Sequence, residues 1–173
     1  MTRYVELRRH TDNDGDRLTP QGIADAESIA GRLSPPYVAF VSTGASRCTQ
    51  MVEILRSAAG QDDVPITEAS GLRSSVEDRW RVAAKAAGKG ADVEAIRRVD
   101  PELVERESWL LGLVLRQLIE GLPDGGRALV VGHSPTNEAA VLGLTGRVIP
   151  ALGNGEGVLV TNDAEHYRTE PLT

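Results

Sequence analysis

One cysteine, one phenylalanine, two tryptophans and three tyrosines are all the 173-residue chain holds of those types. A lone cysteine, Cys48, excludes an intramolecular disulfide and a cysteine-based metal framework, and it fits a reducing compartment. An aromatic share of 3% leaves the core to Leu, Val, Ile and Ala. Long hydrophobic runs are missing as well. The longest, Trp109 to Leu115, falls far short of the roughly 20 residues a bilayer span needs. No apolar leader precedes the first charges, so the expectation is a soluble, cytoplasmic protein with no membrane partner. Positive charge is in deficit: 19 Lys and Arg against 25 Asp and Glu give a net charge of −6. That balance argues against a nucleic-acid groove, and any anion site must be local.

What remains is ordinary globular material, 40% hydrophobic and 25% charged. The length suits one domain, residues 1–173, around one sizeable core. Apolar stretches alternate with helical patterns, the signature of an α/β fold. Tyr4 to Thr11 reads as a strand ending in Arg8, Arg9 and His10. Thr19 then caps a helix with Pro20 at its first position, and Ile23, Ala26, Ile29, Ala30 and Leu33 share one face until Ser34-Pro35-Pro36. Val38 to Val41 is a fully apolar strand, followed after a turn by a helix with Met51, Val52 and Leu55 inward and Arg47 in its first turn.

A short strand is expected over Val64 to Thr67. From Glu68 to Val99 the pattern degrades, with one helix from Val76 to Ala87, and this 68–99 segment reads as an excursion over the sheet in the place of a lid. Asp100 and Pro101 start the longest amphipathic helix, lined by Leu103, Leu110, Leu111, Val114, Leu115, Leu118 and Ile119 and ending at Gly121. Ala128 to Val131 is another apolar strand and leads into Gly132-His133-Ser134-Pro135, where Ser134 is expected to cap a helix beginning at Pro135. Gly157 to Glu170 reads as a hairpin about Asn162-Asp163.

Three pieces share one architectural position, the carboxyl end of a strand or the helix start beyond it: Arg9-His10, Arg47 and His133. Two arginines and two histidines converging in an acidic protein suit a dianion such as a phosphoryl group, because guanidinium forks match phosphate oxygens in pairs. A neutral imidazole can attack phosphorus, and a protonated one can donate to oxygens on which charge builds. That chemistry calls for neither a metal nor another cofactor.

These residues resemble the histidine phosphatase superfamily, which includes phosphoglycerate mutases and small bacterial phosphatases. The strand followed by Arg-His-Gly is matched by Leu7-Arg8-Arg9-His10-Thr11, and the next helix start by Leu18-Thr19-Pro20-Gln21-Gly22. Ser42 to Gln50 matches the second arginine motif with Arg47 in place, and Val130-Val131-Gly132-His133 matches the late Gly-His. The resemblance implies a three-layer, phosphoglycerate mutase-like fold with a largely parallel mixed sheet between helices. It implies His10 as the nucleophile that becomes phosphohistidine, with Arg9, Arg47 and His133 holding the phosphoryl group in a metal-independent phosphomonoesterase.

The chain also departs from the pattern. Thr11 replaces the usual glycine, and the family's leaving-group acid would align with Ser74, leaving Glu77 as the favoured substitute ahead of Asp78 and the loop residues Asp12, Asp14 and Asp16. Glu6 is expected to pair with Arg8. The Gly-His-Ser-Pro segment looks like bacterial phosphohistidine phosphatases, which would make the substrate a protein, whereas the 68–99 excursion favours a small, partly enclosed phosphorylated substrate. A catalytically weak phospholigand-binding domain is the rival class, motivated by the displaced acid.

Overall fold

A computed structural model describes residues 1–173. Its centre is a six-stranded sheet in the order β5(Ile66–Glu68), β4(Ala39–Ser42), β6(Arg127–Gly132), β1(Arg3–Arg9), β7(Gly157–Asn162), β8(Tyr167–Leu172). The first four strands run parallel, and β7 and β8 close one edge as an antiparallel hairpin. A two-stranded ribbon, β2(Asn13–Asp14) and β3(Arg17–Leu18), carries the loop after β1. The helices are α1(Pro20–Ser28), α2(Ser46–Ala58), α3(Glu77–Ala87), α4(Val93–Val99), α5(Pro101–Glu120) and α6(Thr136–Thr145). No helix is long and apolar enough to cross a membrane.

Strand alternation divides the core into two layers. Val5, Leu7, Val41, Ala128, Val130, Val158 and Val160 face one way, onto Leu103, Leu111 and Leu115 of α5 and Ala139 and Val141 of α6. Phe40, Leu129 and Val131 face the other, onto Ala26, Met51, Val52 and Leu55 of α1 and α2. On β1 the second face is Glu6 and Arg8, both buried: Arg8 Nε donates to Glu6 Oε1 at 2.8 Å, and Tyr37 Oη donates to Glu6 Oε2 at 2.7 Å. The expected pair is therefore an interior one. Helices α5 and α6 cross at backbone contact, since a Cβ on Gly143 would lie 1.7 Å from the Ser108 carbonyl oxygen.

Caps place most boundaries where side-chain chemistry predicts. Thr19 accepts from the Gly22 amide with Pro20 in the first turn, and Asp100 accepts from Leu103 N ahead of Pro101. Several expectations need correction. The first helix tightens into a 3-10 turn over Ile29–Arg32, which swings Ala30 out to solvent. Leu110 is 40% exposed, off the buried stripe of α5. The strand expected over Val64 to Thr67 forms at Ile66–Glu68, after Pro65. The 68–99 segment is not only an excursion: it holds a second helix, α4, capped by Asp92, and Trp80, Ala83, Val93 and Ile96 join the larger core layer. Ser134 does not cap α6, which begins at Thr136; its hydroxyl is bonded instead to the side chain of Glu138.

Candidate active site

A cavity of about 420 Å³ opens at the carboxyl edge of the parallel strands. His10, Arg47 and His133 line one side of it, together with Ser134, Pro135 and Thr136. Ser74, Glu77, Trp80, Arg81, Ala84 and Lys85, leading into and along α3, line the other. His10 follows β1 and His133 follows β6, neighbouring parallel strands, so pairing of Arg9 with Gly132 sets the two imidazoles side by side. Their ring centres lie 5.4 Å apart in an edge-on arrangement.

Arg47 spans the two rings. Its Nε donates to His10 Nε2 at 3.3 Å and its Nη2 donates to His133 Nδ1 at 3.2 Å. A guanidinium can only donate, so both of these ring nitrogens present lone pairs. The remaining protons follow: His10 Nδ1–H donates to the Thr11 carbonyl at 2.8 Å, and His133 Nε2–H donates to Thr43 Oγ1 at 2.9 Å. Burial, with the Arg47 and Arg9 charges, outweighs the Thr11 bond and holds the His10 pKa below the usual imidazole value. Burial and Arg47 push His133 down to about 3. Both rings are therefore neutral at pH 7.

Arg47 is itself braced by Asp16, whose Oδ1 accepts from Nη1 at 2.8 Å. Asp16 also accepts from the Ser46 and Arg47 amides at the start of α2. Burial raises its pKa, but the two amides and the guanidinium together outweigh that and keep it a carboxylate. Arg9 is close enough to lower the His10 pKa but does not line the cavity. Its Nη1 donates to the Leu152 carbonyl at 2.6 Å, and its Nε is buried without a partner. Thr11 is turned away, its hydroxyl donating to the Gly22 carbonyl at 2.7 Å.

Glu77 reaches the cavity, yet it is hydrogen-bonded to Arg73, which holds its carboxyl below the ordinary range against the opposing effect of burial. Asp78 pairs with Arg81 and Asp12 accepts from Thr19, and neither lines the cavity. Three features carried no local signal. Asp16 contacts Arg47 across 31 residues, Ser74 bonds to the buried Glu107 across 33, and Glu138 is fully buried behind Ser134.

Burial raises the Glu138 pKa to about 7, against the pull of the Ser134 bond and the Arg9 charge. A raised carboxyl means that the folded state holds the proton where the unfolded chain has released it. Glu138 therefore burdens the fold least below the ordinary carboxylate pKa and progressively more as pH rises through about 7. Glu138→Gln is expected to stabilise the protein by roughly 3 kcal/mol at pH 8 and to change little at pH 4, read from urea midpoints. Equal effects at the two pH values would contradict the assignment.

The architecture is phosphoglycerate mutase-like: a mostly parallel mixed sheet between helical layers, with two histidines at its carboxyl edge. No protein-family model and no curated protein matches the sequence. Solved structures do match, and those compared are members of the histidine phosphatase superfamily. The phosphoglycerate mutase of Bacillus anthracis str. Sterne superposes with a TM-score of 0.75 at 16% identity, over 99% of this chain and 92% of that one. The Entamoeba histolytica phosphoserine phosphatase in complex with 3-phosphoglyceric acid gives 0.71 at 15%, over 98% and 96%. The protein histidine phosphatase SixA complexed with tungstate gives 0.59 at 15%, over 98% and 96%. At these identities the likeness establishes the fold.

Proposed function

We propose that the protein is a metal-independent phosphatase of the histidine phosphatase superfamily, hydrolysing a small phosphorylated substrate through phospho-His10. One observation carries this reading: Arg47 donates to both imidazoles at once, so a dianion entering between them meets a guanidinium fork and two ring nitrogens already aimed inward. His10 Nε2 is the nucleophile, its lone pair kept free by the Thr11 carbonyl and by the lowered pKa. The arriving negative charge reverses the electrostatics at His133, which then takes a proton on Nδ1 and donates to the phosphoryl oxygens as Arg47 turns onto them. Arg9, outside the cavity lining, adds its positive charge from behind His10, the same charge that helps to lower the His10 pKa.

In the first step the His10 Nε2–P bond forms and the ester P–O bond breaks. In the second, water attacks phosphorus, the N–P bond breaks, and phosphate leaves with His10 restored. Arg81 and Lys85 on the opposite wall favour a small anionic substrate, and the likeness to SixA makes a phosphohistidine protein the alternative. Glu77, tied to Arg73, is the observation that favours a weakly active binding domain as the second reading.

A panel of phosphorylated metabolites, 4-nitrophenyl phosphate and a phosphohistidine peptide, assayed with chelator present, tests the proposal. Phosphate release from at least one small ester, unaffected by the chelator, is the expected result. Tight vanadate binding with no turnover of any substrate would favour the binding domain, and release from the peptide alone would favour the protein phosphatase.

A further inference from the structure

We propose that Ser74 and Glu107 form a two-residue proton relay that protonates the leaving group in the first step and deprotonates the attacking water in the second. The proposal rests on the phosphatase reading and supplies the acid it lacks.

Displacement at phosphorus runs in line, so the departing oxygen lies opposite His10 Nε2. The two histidines come from the sheet edge, and the facing wall is built by residues 74–85. The proton donor must come from that wall. Glu77 is held as a carboxylate by Arg73. Arg81 does not release protons at working pH. Lys85 is exposed at the rim. Ser74 remains, 7% exposed, with its hydroxyl hydrogen-bonded to Glu107 of α5, which is itself 4% exposed. That bond is the only one the Glu107 side chain makes, on a helix whose other buried positions are largely apolar. A carboxyl so placed serves no salt bridge and reaches the cavity only through Ser74.

The hydroxyl can serve in both directions. Ser74 Oγ accepts from the Val76 amide at 3.1 Å, which uses one lone pair. With Glu107 as carboxylate, the hydroxyl proton points to Glu107 and the second lone pair is open to a water in the cavity. With Glu107 as carboxylic acid, that lone pair accepts from Glu107 and the hydroxyl proton is free to point at the leaving oxygen. As the P–O bond breaks, the leaving oxygen takes the Ser74 proton and Ser74 takes that of Glu107. As water attacks, its proton passes to Ser74 and the Ser74 proton to Glu107. The relay ends each cycle as it began, and the alcohol and phosphate account for every atom.

Leaving-group dependence is the test, because a good leaving group needs little protonation and an alkoxide needs much. Turnover of 4-nitrophenyl phosphate and of an alkyl phosphate is compared in the wild type, Ser74→Ala, Glu107→Gln, Glu77→Gln and Lys85→Ala. Ser74→Ala and Glu107→Gln are expected to lower kcat/KM for the alkyl ester by roughly 10²- to 10⁴-fold and to affect the aryl ester far less. Glu107→Gln keeps a hydrogen-bonding side chain behind Ser74, so its loss should likewise fall on the alkyl ester. Ser74→Glu, placing a carboxyl directly in the cavity, should restore alkyl turnover even when combined with Glu107→Gln. Equal losses on both esters, no restoration of alkyl turnover by Ser74→Glu, or leaving-group dependence in Glu77→Gln or Lys85→Ala instead would overturn the relay alone. A wild-type protein inert on every ester would overturn the phosphatase reading and the relay with it.

Discussion

His10→Ala is expected to lower turnover of any phosphate ester by at least about 10³-fold while leaving phosphate binding measurable. The reason lies in the count of bare nitrogens. Within the cavity two ring nitrogens carry lone pairs, His10 Nε2 and His133 Nδ1, each accepting from Arg47. Burial and Arg47 push His133 down to about 3, and it is the ring that gains a proton when a dianion arrives, so it becomes a donor rather than a nucleophile. His10 keeps its Nδ1 proton on the Thr11 carbonyl and attacks through Nε2.

The pH dependence follows with its sign. Protonation of Nε2 removes the lone pair, and burial together with Arg47 and Arg9 holds the pKa of His10 low, so the acid limb of kcat/KM should fall below the ordinary imidazole value. Quenched enzyme should carry an acid-labile, base-stable phosphoryl label at His10, absent from His10→Ala and retained in a slower His133→Ala. A His10→Ala protein within tenfold of wild-type activity, or a label mapped to His133, would remove His10 from the role.

Much of this site was legible because its parts follow local rules. A strand that runs out in Arg9-His10, a helix whose first turn carries Arg47 and a second apolar strand ending in Gly132-His133 are each contiguous, and parallel pairing of β1 with β6 brings the histidines together. Thr19 with Pro20 and Asp100 with Pro101 marked helix starts for the same reason, since capping lies within three residues. What was hidden depends on distant partners. Asp16 read as one more loop acid, because nothing near it shows that α2 will present two amides and a guanidinium to it. Helix α4 has only Val93 and Ile96 buried in seven residues, too few for a period to emerge. Ser134 looked like a cap and instead is bonded to Glu138, a burial that no count of charges foretells. The 68–99 segment looked patternless for a related reason: its apolar residues are sparse, but they insert into a core built largely by α5, α6 and the sheet.

Arg8 is where removal of one side chain should cost the fold most. It is fully buried, and its Nη1 donates to the Gly155 carbonyl at 2.8 Å while Nε holds Glu6. Arg8→Met fills a similar volume but strands the Glu6 carboxylate, 2% exposed, with Tyr37 as its remaining donor. Breaking a buried pair from one side costs about 3–5 kcal/mol, because the surviving charge keeps its desolvation penalty and loses its compensation. Burial and the Glu6 bond raise the pKa of Tyr37, so the phenol stays a donor to that carboxylate throughout the working range and cannot replace a cation. Adding Glu6→Leu should recover a large part of the loss, since an apolar pair on this face would pack without a charge to satisfy, although Tyr37 and Gly155 would each lose a partner. Gly155 N in turn donates to the Arg9 carbonyl at 3.1 Å, so Arg8→Met should also loosen the backbone that presents His10 and lower kcat beyond the loss of folded protein. Urea unfolding of the two single variants and the double variant reads the coupling directly. An Arg8→Met midpoint equal to wild type, or a double variant no more stable than Arg8→Met, would show that the cost lies elsewhere than in the stranded carboxylate.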